Sequence, residues 1–240
     1  DASHNSYDTF VLESCIKNAR IASKGVLPLC QDTGTAQIIA CKDEGVLTRA
    51  DDYLALSAGI ERAWSEGYLR SSQNIPLNMY DEIDSGNNLP ASIHIQASSP
   101  TDRQNPEYHF LFVAKGGGSA NRTSFFTMTK ALLNEESLKA FLLEKMRALG
   151  SSACPPYHLC FVVGGSSPEE NLNILKLGTA GLFDAWPGKE LPLRDRGLEA
   201  WLLNKSKTHE EQRLLDNTAF LASCTILRLS RHAASLFVSV

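Results

Sequence analysis

The sequence predicts a mixed α/β (α+β) domain with a mixed central sheet and helices on its faces. Three observations support this class. Segments with helical periodicity alternate with short β segments, capping residues mark several helix boundaries, and 43% of the 240 residues are apolar, which suits a sizeable core. Because no stretch has the composition of an interdomain linker, residues 1–240 are expected to form one domain.

The N-terminal half is predicted to combine two helices with three strands. The predicted elements are a helix over 5–24, a β segment at 36–41, a helix from 48–52 to Tyr68, and strands at 92–97 and 108–114. Gly25 stands where a helix C-cap is expected. The last two strands are expected to pair as a hairpin, with residues 98–106 as its long loop.

The C-terminal half is predicted to alternate helices and strands in the same way. The predicted elements are a helix over 134–149, a strand at 159–163, a helix starting at Ser167, a helix over 197–215, and a strand at 224–229. Asn134 is a good N-cap, and Gly150 follows the last turn. Ser167 followed by Pro168 is typical of a helix start.

Charge and cysteine usage exclude several classes of protein. The net charge is −4, so a basic nucleic-acid or membrane footprint is excluded, and no apolar run of about 18 residues exists to span a bilayer. The six cysteines form no Cys-x-x-Cys pair, which argues against a zinc ribbon or a disulfide scaffold. Scattered thiols suit a reducing compartment, cytoplasmic or mitochondrial.

Three polar, glycine- or proline-rich loops adjoin predicted strands, where binding sites often lie. The loops are 27–35 with Cys30 and Asp32, 115–121 with three consecutive glycines, and 153–158 with Cys154 and His158. Consecutive glycines let the backbone approach a ligand and bind an anion, but a flexible connection explains them equally. The cysteine loops are also compatible with structural turns, and His158 with a satisfied core or edge histidine.

Two further segments contain cationic groups. Arg228, Arg231 and His232 lie at or just beyond the end of the last predicted strand and are able to hold a carboxylate, although a solvated basic turn explains them as well. Arg70 is unremarkable by itself. Neither segment identifies a ligand when considered alone.

In their order along the chain, these segments resemble the class I (iron–sulfur) fumarases and the related tartrate dehydratases. The matching stretches are 25–36, 86–91, 115–121, 153–158 and 164–165. The most specific are Cys-Gln-Asp-Thr-Gly-Thr from Cys30 and Ala-Cys-Pro-Pro-Tyr-His from Ala153. The resemblance covers nearly the whole chain and implies an N-terminal domain or α subunit of that family, incomplete at both ends.

The resemblance implies a hydro-lyase that reversibly hydrates fumarate to malate, or acts on a related hydroxy-dicarboxylate. In that family three cysteine thiolates hold a [4Fe–4S] cluster, and its fourth iron acts as a Lewis acid on the leaving hydroxyl. It also implies a β-type domain or subunit as partner, within a homo- or hetero-oligomer or a larger complex.

The family's functional residues carry over by position. Cys30 and Cys154 match cluster ligands, and Asp32 and His232 match catalytic residues. The positions that match substrate-binding residues are Gln31, Asp32, Arg70, Gly118 and His232. The thiols that match no ligand, and are expected to be buried, are Cys15, Cys41, Cys160 and Cys224. The Cys30 and Cys154 sulfurs are expected within about 6–7 Å of each other, facing the glycine triplet and His232.

Two departures from the family leave the function open between alternatives. The third cluster cysteine is expected about a dozen residues beyond His232, and the sequence ends at Val240. Residues 210–217 replace a glycine-rich stretch with what resembles a charged helix. The chain is therefore interpreted either as an active hydro-lyase component that needs its partner, or as a degenerate, catalytically inactive structural subunit of an assembly. A dicarboxylate-binding module without catalysis is a third interpretation.

Overall fold

The computed structural model describes residues 2–67, 69–99, 104–185, 192–207 and 219–240, with side chains described from Tyr7 onward. The chain divides after Gly117 into two compact units, here called unit 1 (residues 1–117) and unit 2 (residues 118–240). The mixed α/β class is confirmed. Each unit has its own mixed sheet, and unit 1 has a further two-stranded sheet. No helix among the described residues is long and apolar enough to cross a membrane.

Unit 1 contains two helices, a three-stranded sheet and a small two-stranded sheet in its described part. Its elements are α1 (Ala2–Ala22), β1 (Thr35–Asp43), α2 (Asp52–Glu66), β2 (Asn74–Pro76), β3 (Glu82–Asp84), β4 (Ser92–Ser98) and β5 (Tyr108–Lys115). Asp51 caps α2 by accepting a hydrogen bond from the Leu54 N–H. The helix ends at Glu66, and the predicted end at Tyr68 lies outside the described residues.

Strand β1 lies in the centre of the unit 1 sheet. It pairs in parallel with β4 and antiparallel with β5, so the sheet order is β4-β1-β5. The predicted hairpin between residues 92 and 114 is therefore wrong. The physical reason is burial: β1 carries the alternating core residues Ala36, Ile38 and Ala40, which pack under Ile60 of α2, and such a strand takes the central position.

Unit 2 has a five-stranded sheet with helices on both faces. Its elements are α3 (Gly117–Ala120, at the boundary), β6 (Phe125–Met128), a 3₁₀ turn (Lys130–Leu132), α4 (Glu135–Ala148), β7 (Tyr157–Gly165), α5 (Pro168–Thr179), β8 (Leu193–Arg194), α6 (Arg196–Ser206), β9 (Leu221–Arg231) and β10 (Leu236–Ser239). The strand order is β6-β10-β7-β9-β8, with β7 and β9 parallel.

The core of unit 2 explains why β7 is a continuous apolar run. Phe161 packs with residues of α4 and α6 on one face, whereas Cys160 and Val162 pack with Leu175 of α5 on the other. A strand covered on both faces shows no alternation of polar and apolar residues. The interior of unit 2 is therefore built around the parallel pair β7 and β9.

The predicted helix starts of unit 2 are confirmed. Asn134 accepts from the Ser137 N–H at the start of α4, and Ser167 accepts from the Glu170 N–H ahead of α5, with Pro168 in the first turn. Helix α6 covers the first part of the predicted 197–215 helix. Residues 208–218, which include the charged 210–217 stretch, lie outside the described part of the chain.

Candidate functional site

Cys30 lies in an exposed loop between α1 and β1. Its thiol is free and exposed. The loop is fastened to α1 by Asn18, whose Nδ2 donates to the Leu29 carbonyl oxygen at 2.7 Å. Cys30 is therefore presented to solvent next to a fixed backbone position, as an accessible metal ligand requires.

Asp32 connects this loop to the glycine triplet. Its Oδ1 accepts from the Gly34 N–H at 3.1 Å, and its Oδ2 accepts from the Gly117 N–H at 2.8 Å. A Cβ on Gly116 would lie 2.9 Å from the same Oδ2, so this close approach depends on glycine. One backbone amide of the glycine triplet, that of Gly117, thus binds an anionic group, the carboxylate of Asp32.

Arg70 lies beside the same loop. Thr33 Oγ1 accepts from the Arg70 N–H and donates to the Arg70 carbonyl oxygen, both at 3.0 Å, while the Arg70 side chain is exposed. The following loop is fixed by Asp84, which accepts from the Ser71 hydroxyl at 2.6 Å and from a backbone N–H. Unit 1 therefore brings the backbone of Arg70 next to the Asp32 loop, as the resemblance implies.

Charged groups around these loops have shifted pKa values. The Ser71 hydroxyl, the Gly86 N–H and the Arg70 charge hold the pKa of Asp84 below its usual range. Burial lowers the pKa of Lys115, which ends β5 directly before the glycine triplet. The loops of unit 1 therefore combine an ionised carboxylate with a partly desolvated ammonium group.

Cys154 lies in a loop of unit 2 that is clamped by Tyr157. The Tyr157 hydroxyl donates to the Gly150 carbonyl oxygen at 2.9 Å and accepts from the Ala153 N–H at 3.2 Å. The Cys154 thiol is free and exposed, and its φ is 59°. Gly118 lies against this Cys154 loop, since a Cβ built on it would lie 3.7 Å from the Cβ of Ala153.

The turn after β9 positions His232. Its exposed ring accepts at Nδ1 from the Ala234 N–H at 3.1 Å, so the neutral ring carries its proton on Nε2. Arg231 stabilises the same turn by donating from Nη1 to the carbonyl oxygens of His232, Ala233 and Ser235. Arg231 is thus occupied within the turn.

Cys154 and His232 lie at opposite ends of the unit 2 sheet. Cys154 precedes the first residue of β7, whereas His232 follows Arg231, which pairs with the last residue of that strand. At about 3.3 Å per residue, β7 separates the two ends by about 25 Å. The expectation that Cys154 faces His232 is therefore wrong within this chain, because β9 runs parallel to β7 and carries the chain to the end of the sheet opposite Cys154.

The remaining cysteines divide by burial. Burial raises the pKa of Cys160 to about 12 and also raises that of Cys224, with the Glu199 charge adding to both shifts. Cys41 is partly buried, but Cys15 is exposed, so the expectation of a buried thiol is wrong there. The reason is that α1 places much of its apolar side-chain surface in solvent.

The donor chemistry is compatible with an iron–sulfur cluster. Cys30 and Cys154 are exposed thiols on loops, and cysteine thiolates are the usual cluster ligands. Within the described ranges no group of three His, Cys, Asp or Glu side chains is placed to hold a metal ion. Because Cys30 lies in unit 1 and Cys154 in unit 2, the convergence of their sulfurs stays a prediction.

Two residues with a part in these loops were not singled out from the sequence. Asn88 is completely buried between the loops of unit 1, and Tyr157 clamps the Cys154 loop. Asn88 lies in the family-like stretch 86–91, where an Asn-Asn pair after Gly86 indicates a tight turn. That signal predicts a turn but not the partners of the buried amide.

The family is shown by comparison with known proteins. A family model described as fumarate hydratase (fumerase) matches residues 1–240, and the chain belongs to that family. It is 45% identical over 239 residues to the aerobic class I fumarate hydratase of Escherichia coli K12, covering 98% of this chain and 42% of that protein.

More distant relatives match in the same way. Fumarate hydratase 1, mitochondrial, of Leishmania major is 39% identical, covering 100% of this chain and 43% of that protein. A putative L(+)-tartrate dehydratase subunit alpha of Methanocaldococcus jannaschii is 28% identical over 65% of this chain and 54% of its own length. The chain thus spans about two fifths of the length of the fumarate hydratases it matches.

Proposed function

We propose that this chain is the part of a class I fumarate hydratase that contributes Cys30, Asp32, Arg70 and Cys154, and that the complete protein reversibly hydrates fumarate to malate or acts on a related hydroxy-dicarboxylate. One observation supports this most strongly. The Asp32 carboxylate is held by the Gly34 and Gly117 amides beside the exposed Cys30, within a chain of this family. A carboxylate fixed in this way is preorganised for proton transfer or substrate contact.

In this proposal the exposed thiols of Cys30 and Cys154 hold a [4Fe–4S] cluster together with a third cysteine of the complete protein. When bound, the cluster supplies a Lewis acid that stabilises hydroxide as a leaving group. The exposed Arg70 guanidinium binds one substrate carboxylate as a fork, with Gln31 and the Gly118 backbone as further contacts. Asp32 moves a proton at the substrate carbon or orients the reacting water.

His232 has a proton on Nε2 that it is able to donate to substrate. Because it lies about 25 Å from the Cys154 end of its own sheet, we propose that it serves the site of a second copy of the chain. This arrangement fits the oligomer that the resemblance implies. Further cationic and acid–base groups are then contributed by a β-type domain or subunit.

Turnover of the full-length protein tests the proposed activity. We expect anaerobically reconstituted protein to interconvert malate and fumarate, and Asp32→Asn to lower kcat/KM by about a hundredfold or more. The matched control is Asp43→Asn, since Asp43 also accepts from a backbone N–H, that of Glu107, at 2.9 Å. Absence of turnover and of bound iron in the wild type would favour the inactive structural subunit instead.

Complementation tests the proposed role of His232 between copies. Cys154→Ser and His232→Asn are each expected to inactivate the full-length protein. When the two variants are co-assembled, a mixed oligomer contains one site with both native groups, so activity is expected to return. If the mixture stays inactive while each single variant still assembles, His232 does not act in the site of another copy.

A further inference from the structure

We infer that Asn88 is a positioning residue that fixes the Asp32 loop relative to the Arg70 loop. The inference rests on the proposed function, because it assigns Asn88 to the same site. Asn88 is completely buried, so we do not propose that it contacts substrate. It acts through the backbone of the two loops that carry the proposed substrate-binding groups.

The side chain of Asn88 joins two segments that are distant in the sequence. Its Oδ1 accepts from the Ser72 N–H at 3.0 Å, and its Nδ2 donates to the Gly34 carbonyl oxygen at 3.2 Å. The residue is 0% exposed. A buried amide with both ends bonded is stabilised only when both partners stay in place, so it couples their positions.

The backbone around Asn88 keeps the amide in one place. Asn88 has a φ of 61°, a left-handed conformation that asparagine tolerates better than most residues. Asn87 accepts from the Leu89 N–H at 3.1 Å, and Asp84 accepts from the Gly86 N–H at 2.8 Å. These side-chain bonds hold the turn on both sides of Asn88, so its amide is a rigid link.

The two bonded groups adjoin the functional candidates. Gly34 is two residues from Asp32, and its own N–H donates to the Asp32 carboxylate. Ser72 is two residues from Arg70. Gly34 has little freedom to move, since a Cβ on it would lie 2.7 Å from the Lys115 carbonyl carbon. Asn88 therefore links a tightly packed point of one loop to the backbone of the other.

Loss of this link is expected to affect chemistry more than folding. A misplacement of about 1 Å in a catalytic group lowers rates by about a hundredfold. Thr33 still joins the loops through its two bonds to the Arg70 backbone, so unit 1 keeps a connection without Asn88. We therefore expect the loops to remain folded but to become mobile relative to each other.

Amide hydrogen exchange in the full-length protein tests the inference without relying on activity. Asn88→Gly keeps the left-handed backbone but removes both side-chain bonds. It is expected to speed exchange of the Arg70 and Gly117 N–H groups, which Asn88 does not contact, by about tenfold or more. Exchange of Ile38 in the centre of β1 is expected to stay unchanged.

A second pair of variants controls for misfolding. Asn88→Asp replaces the donor to Gly34 with an oxygen and adds a negative charge, whereas Asn87→Asp makes the same change in the neighbouring residue, whose Nδ2 reaches Glu61 at 3.3 Å. The Asn88 variant is expected to speed Arg70 and Gly117 exchange and the Asn87 variant to leave it unchanged. Unchanged exchange in both Asn88 variants, or an equal increase at Ile38, would overturn the inference.

Steady-state kinetics then connects the link to the reaction. We expect Asn88→Gly to lower kcat by about tenfold or more, in addition to a modest fall in the unfolding midpoint from the loss of two buried hydrogen bonds. A kcat equal to that of the wild type would overturn the positioning role. If the wild type itself lacks turnover, only the proposed function fails, because the exchange measurements still decide whether Asn88 couples the loops.

Discussion

The two units each contain a completely buried asparagine that donates to a glycine with positive φ. In unit 1 the Asn88 Nδ2 lies 3.2 Å from the Gly34 carbonyl oxygen, and in unit 2 the Asn171 Nδ2 lies 2.7 Å from that of Gly164. The glycines have φ values of 77° and 109°. A Cβ on either would overlap backbone, at 2.7 Å from Lys115 in unit 1 and 2.5 Å from Leu229 in unit 2.

The two pairs differ in how far they reach along the chain. Asn88 and Gly34 are 54 residues apart, whereas Asn171 and Gly164 are 7 apart. Asn171 also donates to the Val162 carbonyl oxygen, so it fastens α5 to the end of the preceding strand. The same chemical pair therefore stabilises a local strand end in unit 2 and connects distant loops in unit 1.

The largest expected effect is on unit 2, from Gly164→Ala. The new Cβ would overlap the Leu229 carbonyl oxygen between β7 and β9, and alanine is strained at this φ. We expect a loss of about 3 kcal/mol or more in the free energy of unfolding, measured by urea titration. Gly59→Ala, in α2 with open space around the new Cβ, should be neutral or stabilising.

The corresponding change in unit 1, Gly34→Ala, should cost less stability but abolish the proposed activity. The overlap is with the Lys115 backbone at the end of the edge strand β5, whereas the overlap at Gly164 is between two interior strands, so we expect a smaller loss of about 2 kcal/mol. Gly25→Ala is the matched control, because Gly25 has a φ of 69° and nothing within 4 Å of the new Cβ. If Gly34→Ala and Gly25→Ala lowered turnover equally, overlap with the Lys115 backbone would not be the cause.

Asn171→Leu tests whether the local hydrogen bonds of Asn171 in unit 2 act separately from the long-range link that Asn88 makes in unit 1. It removes donors to the Val162 and Gly164 carbonyl oxygens but also removes an Oδ1 that is buried without a partner among the described residues. We expect a net loss of about 1–2 kcal/mol in unfolding experiments. Exchange of the Arg70 and Gly117 amides should stay at the wild-type rate, and faster exchange there would remove the distinction between the pairs.

The smallest expected effect near neutral pH is the one that Cys160 has on unit 2, because it develops only in alkaline solution. Burial raises its pKa from the ordinary value of 9.0 to about 12, so the folded state binds the proton more tightly than the unfolded state. This contribution to stability is fully present below about pH 9 and is lost as the pH rises toward 12. The free energy of unfolding of Cys160→Ala should therefore fall less steeply with pH over that range than that of the wild type. Identical slopes for the two proteins would contradict the assignment to Cys160.

The sequence was sufficient for features that depend on neighbouring residues. The caps at Asn134 and Ser167 are local, so their residue types predicted the helix starts correctly. The family-like loops were recognisable because their motifs are contiguous. The structure places both family-like cysteines, Cys30 and Cys154, in exposed loops.

Features that depend on strand pairing could not be predicted in this way. The 92–114 hairpin was wrong because β1, far earlier in the chain, lies between the two strands. The opposite positions of Cys154 and His232 follow from the parallel pairing of β7 and β9, which no motif records. Asn88 was missed for the same reason, since its partners are 16 and 54 residues away.

The central proposal is that two exposed loop thiols, Cys30 in unit 1 and Cys154 in unit 2, act as ligands of a single iron–sulfur cluster. Iron and acid-labile sulfide in anaerobically reconstituted full-length protein test this directly, in Cys30→Ser, Cys154→Ser and the exposed control Cys15→Ser. We expect both contents to fall strongly in the first two variants and to match the wild type in the third. Wild-type cluster content in either of the first two would contradict the account.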